Sequence, residues 1–94
     1  MSKDWAFFLK DAWIVSAKNL LKESNEVIGT IGGKQIQITP RSPHSADIYI
    51  DDLPANRGVG SAEALVNFLL DVGQRVPQEE LIREIDRILD SYYY

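Results

Sequence analysis

Two adjacent glycines, Gly32 and Gly33, constrain this chain more than any other pair of its residues. They separate two segments, 26–31 and 34–39, in which apolar and polar residues alternate. Alternation with a period of two marks a half-buried strand. A two-residue Gly-Gly link closes a hairpin, because both positions accept positive φ without a steric penalty. Counting outward from the turn predicts the register: Ile31 opposite Lys34, Gly29 opposite Ile36 and Val27 opposite Ile38. Those six share one face, while Glu26, Thr30, Gln35, Gln37 and Thr39 share the other. A slip of one residue would bury the polar row, so the pattern specifies its own pairing.

The hairpin sets what must follow. Pro40 and Pro43 predict a non-helical connection. A third strand is expected over residues 46–51, with Ile48 and Ile50 inward and Asp47, Tyr49 and Asp51 outward. A sheet with one polar face needs covering on the other alone, and the remaining segments read as helices. Over residues 4–21, Trp5, Leu9, Ala12, Trp13, Ser16 and Leu20 recur at three- and four-residue steps. Asp4 suits the N-cap of that helix, and Lys18 and Lys22 its C-terminal end. Phe7, Ile14 and Leu21 form a second stripe on the same helix, which is therefore apolar on more than one side.

A loop is expected over residues 52–60, then a helix over 61–72. Ser61 caps it, Ala62, Leu65, Val66 and Leu69 face inward, and Gly73 stands at its C-terminal end. Pro77 opens a third helix with Glu79 and Glu80 in its first turn. Its apolar face carries Leu81, Ile82, Ile85, Ile88, Leu89 and Tyr92. The expected class is α+β in the order α-β-β-β-α-α, a three-stranded antiparallel sheet covered on one face by helices.

At 94 residues the chain is expected to form one domain, 1–94, with a small core that a deep substrate cavity would erode. Hydrophobic residues at 45% and charged ones at 26% match globular averages and argue against a disordered chain. There is no cysteine, which excludes disulfides and thiolate chemistry. Asp4, Lys10 and Asp11 interrupt the first apolar run, so no signal peptide is expected. No stretch approaches the roughly 20 apolar residues of a membrane span. The expected compartment is the cytoplasm. The net charge of −4 is uneven: residues 1–22 hold four lysines against two aspartates, whereas from residue 59 three arginines face seven acids. That balance argues against direct nucleic-acid binding.

Groups suited to catalysis are sparse. His44 is the only histidine and is expected to be an exposed loop residue. His44, Asp47, Asp51 and Asp52 lack a diagnostic metal-ligand spacing, and Asp51-Asp52 is expected to end a strand and shape a turn. The leading reading therefore has no catalytic residue, no metal and no cofactor.

One local motif carries a resemblance. Asn56-Arg57-Gly58-Val59-Gly60-Ser61 precedes the second helix, and the segment from Ile48 to Gly73 resembles the acetyl-CoA motif of the GNAT acetyltransferase superfamily. There a strand leads into an Arg-Gly-x-Gly turn and a helix. The resemblance implies a small acyl-CoA- or phosphate-binding protein in which Arg57, Gly58, Val59, Gly60 and Ser61 cradle phosphate. It departs from the family at Ala55, where Gln or Arg is usual, and at Pro77, which opens a helix instead of a strand. The element order is also similar to the double-stranded RNA-binding domain, whose last helix grips phosphates with lysines at its start. Here that place is Ser61-Ala62-Glu63-Ala64, without a lysine.

The surface offers the leading reading, to which phosphate binding is the alternative. Phe7, Ile14 and Leu21, with Lys10 at their rim, suit a docking stripe, unless the first helix is buried on both faces between the sheet and the third helix. Tyr93 and Tyr94 suit anchors, and Glu79 and Glu80 suit a basic partner. The expectation is a non-enzymatic partner-binding protein: a regulator, inhibitor or adaptor. Its partner is another protein or a second copy of itself as a homodimer, with no membrane and no direct nucleic-acid contact. In element order and acidity the chain resembles some phage anti-CRISPR inhibitors, which implies occupancy of a nucleic-acid site on a nuclease.

Overall fold

The Gly32-Gly33 hairpin forms in the register that its alternation dictates. In the computed structural model, which describes residues 5–23 and 25–90, β1 (Val27–Ile31) pairs with β2 (Lys34–Ser42). Ile31 faces Lys34, Gly29 faces Ile36 and Val27 faces Ile38. Both turn glycines adopt positive φ, 58° and 82°. Val27, Ile31, Ile36 and Ile38 are buried, as the register requires.

β2 is longer than expected. It continues through Pro40 to Ser42, and a tight turn at Pro43-His44 returns the chain as β3 (Ser45–Ile50). Proline cannot donate to a ladder and is tolerated inside a sheet at a bulge. The β2–β3 register shifts between Pro40 and Ser42, which supplies one.

A fourth strand corrects the expected three. Residues 53–59, read from the sequence as loop, form β4 (Leu53–Val59) at the sheet edge, antiparallel to β3. Asp51 and Asp52 make the turn between them, both with positive φ. The Asp51 carboxylate also accepts from the Gln35 backbone N–H at 3.0 Å. The sheet is a meander in the order β1-β2-β3-β4, and the class is α+β with three helices.

α1 (Trp5–Glu23), α2 (Ala62–Val72) and α3 (Gln78–Asp90) lie over one face of this sheet. α1 occupies the middle, resting on β2 with α2 and α3 on either side, while α3 packs on β1 and α2 approaches β4. Ser61 caps α2 through its hydroxyl, which accepts from the Ala64 N–H at 3.1 Å. α3 begins one residue later than expected, with the Pro77 carbonyl accepting its first helical bond from Leu81 at 2.9 Å.

Gly73 has a different reason for being glycine than helix termination by a left-handed residue. Its φ is −86°, which any residue can adopt. A Cβ there would lie 2.1 Å from Leu81 Cδ1. Gly29 is alike: a Cβ would lie 2.2 Å from Ile88 Cγ1. Both glycines let α3 come close. α3 also holds the first hairpin, since the Gly32 N–H donates to Glu84 Oε2 at 3.0 Å.

Candidate functional surface

The inward side of α1 differs from the expected line. Ala6, Trp13, Ala17, Leu20 and Leu21 are its buried residues, whereas Ala12 is exposed. Trp5 packs edge-on against Trp13, with ring centroids 6.3 Å apart. At about 100° per residue, the direction opposite Trp13 and Ala17 passes through Val15 and Phe8.

Both of those residues lie in solvent, on the exposed side of the helix. Phe8 is 88% exposed, Phe7 76% and Val15 59%. The stripe expected from Phe7, Ile14 and Leu21 is therefore divided. Phe7 is outside, Ile14 is half-buried against the core, and Leu21 is 1% exposed. Leu21 is corrected to a core residue, because it turns toward the start of α2 and the β2–β3 turn. Phe8 and Val15 were missed by the sequence reading. Their signal was their spacing: one heptad apart, they are the apolar residues of α1 larger than alanine that neither expected stripe included.

The other proposed partner contacts are scattered. Lys10 is half-buried and pairs with Glu63 of α2 at 3.5 Å. Beside that pair runs an open groove of about 480 Å³, lined by Ala6, Phe7, Lys10, Asn67, Leu70 and Asp71. Glu79 and Glu80 are exposed in the first turn of α3. Tyr93 and Tyr94 lie outside the described residues, as do Asp4 and Tyr92.

The expected phosphate cradle takes another form. Arg57, Gly58 and Val59 belong to the edge strand β4, with Val59 paired opposite Ala46, and not to a loop before α2. Ser61 is committed to its capping bond, and Gly60 is exposed just before it. Near the start of α2, Lys18, Lys22 and His44 surround a pocket of about 200 Å³ with Leu21, Pro43 and Ser61 at its walls.

The uncovered face of the sheet is mostly polar, with Ile28 exposed among the polar side chains. Arg41 donates to Asp47 at 2.7 Å, and that contact, with the charge behind it, holds the guanidinium above its ordinary value. Gln37 Nε2 donates to Glu26, the residue just before β1. His44 is exposed, its backbone N–H held by Ser42 Oγ at 3.2 Å. Among the described residues no three potential ligands gather for a metal ion, and no helix is long and apolar enough to cross a membrane.

Comparison with protein-family models, with curated proteins and with solved structures finds no match to this chain.

Proposed function

We propose that this chain is a non-enzymatic partner-binding protein, a regulator, inhibitor or adaptor of the cytoplasm, that acts through the outward face of α1. One observation carries the reading: Phe8, Val15 and Phe7 stand in solvent on a helix whose opposite side is core. Single exposed apolar residues are ordinary on protein surfaces. Two phenylalanines and a valine on one helical face form a patch, and such patches mark interaction sites. The groove beside Phe7 adds a concave flank to it.

A photo-reactive phenylalanine analogue at position 8, in cells making the protein, tests this. A discrete protein adduct from position 8, lost in Val15→Glu and not given by the same probe at Gln78 on α3, is the expected result. Equal adducts from both positions, or none from position 8, would end the reading.

A second reading has its own observation in Lys18, Lys22 and His44 around the start of α2. It places an anion, an acyl-CoA phosphate included, in that pocket. Amide NMR shifts at Ser61 and Glu63 on titration with inorganic phosphate and with acetyl-CoA are its measure. Silence at millimolar ligand removes it.

A further inference from the structure

Five of the eight exposed residues of α1 follow a repeat. Phe8, Asp11, Val15, Lys18 and Lys22 are all exposed, and they are spaced three, four, three and four residues apart. Such spacing keeps a row of side chains on one line along a helix, the seam by which one helix meets another. The five residues span about 21 Å at 1.5 Å per residue.

From this seam we infer that the partner of α1 is a second copy of α1, lying antiparallel across a two-fold axis at Val15. The inference rests on the partner-binding reading above and deepens it. Its argument is charge complementarity. A parallel arrangement would set Asp11 on Asp11, Lys18 on Lys18 and Lys22 on Lys22. The antiparallel one reverses each of these. Asp11 lies four residues before Val15 and Lys18 three after it, so each Asp11 meets Lys18 of the second copy. Phe8 and Lys22 lie seven residues before and after Val15, so each phenyl ring meets a lysine of the second copy, an attractive cation–π pairing. Val15 packs on its own counterpart at the axis.

Flank positions agree with the register. Asp11 and Lys18 lie about 20° apart around the helix. A two-fold of this kind brings the same flank of both helices to the same side, so the opposite charges face each other. Every contact away from the axis occurs twice, as in any isologous interface. The helical face belongs to a body 34 × 26 × 25 Å in extent. It has room for the roughly 800 Å² per partner typical of a specific interface. Phe7 and the groove beside it stand at the margin, where α2 of either copy would meet the other.

The test is solution mass by light scattering over about two decades of concentration, with charge-reversal variants. The wild type is expected to be a dimer that dissociates on dilution. Asp11→Lys and Lys18→Asp should each raise the dissociation constant about tenfold, since each reversal strikes two pairs. The double variant should recover most of that loss, because the exchanged charges meet again between copies. These side chains are exposed, and circular dichroism checks that each variant keeps its helices. A wild type monomeric throughout, or a double variant no better than either single one, overturns the inference. A photo-adduct from position 8 with the mass of a different protein overturns it too, while leaving the partner-binding reading standing.

Discussion

The indole N–H of Trp13 donates to Asp86 Oδ1 at 2.5 Å, tying α1 to α3 across 73 residues of chain. Trp13 is 3% exposed, so this N–H has left bulk water and depends on its acceptor. Asp86→Ala leaves it unpaired and should cost about 1–3 kcal/mol. In a Trp13→Phe background the same change should cost almost nothing. Urea denaturation of the four proteins measures the difference, and equal costs in both backgrounds would show that the bond contributes nothing.

The glycines divide by physical cause, and substitution separates them. Gly73→Ala and Gly29→Ala drive a methyl into Leu81 and Ile88, and each should cost about 1–3 kcal/mol as over-packing. Gly33 has open space around it but a φ of 82°. Gly33→Asn should therefore be tolerated within about 0.5 kcal/mol, because asparagine enters the left-handed region readily. Thermal unfolding of the three variants gives the ranking, and a damaging Gly33→Asn would contradict it.

Asp51 and Asp52 make the β3–β4 turn from two left-handed residues where Asp-Gly is the favoured pair. Asp52→Gly relieves the second of them and should stabilise the protein by about 0.5–1 kcal/mol. Asp51 is to be kept, since its carboxylate accepts from Gln35. A fall in melting temperature for Asp52→Gly would count against this account of the turn.

Ser61→Ala removes the acceptor for the Ala64 N–H and should cost about 0.5–2 kcal/mol. Ser61→Asp restores an acceptor and should regain most of that. If alanine and aspartate behave alike in chemical denaturation, the cap adds no stability.

The parts of the fold that could be read from the sequence are those where a local rule had a single answer. Gly32-Gly33 with alternation on either side left one register, and Ser61 before an apolar run left one start for α2. β4 escaped because Pro54, Asn56 and Gly58 are poor strand formers. They form a strand because pairing along β3 supplies the stabilisation, and an edge accepts a proline. The surface was only half legible for a related reason. A helix apolar on several sides does not say which side its neighbours will take. Leu21 was claimed by the core and Phe8 left outside through the placement of α2 and α3, which is tertiary information.

The close seating of α3 bears on how the protein is made. Synthesis delivers α1, the meander and α2 before α3. Until it arrives, Gly29 and Gly73 line an unfilled channel and the Trp13 indole has no carboxylate to bind. β1, α1 and the end of α2 are thus shaped around a piece not yet present. A chain cut after Gly73 would leave Gly29 without Ile88, Gly73 without Leu81 and the Trp13 indole without Asp86.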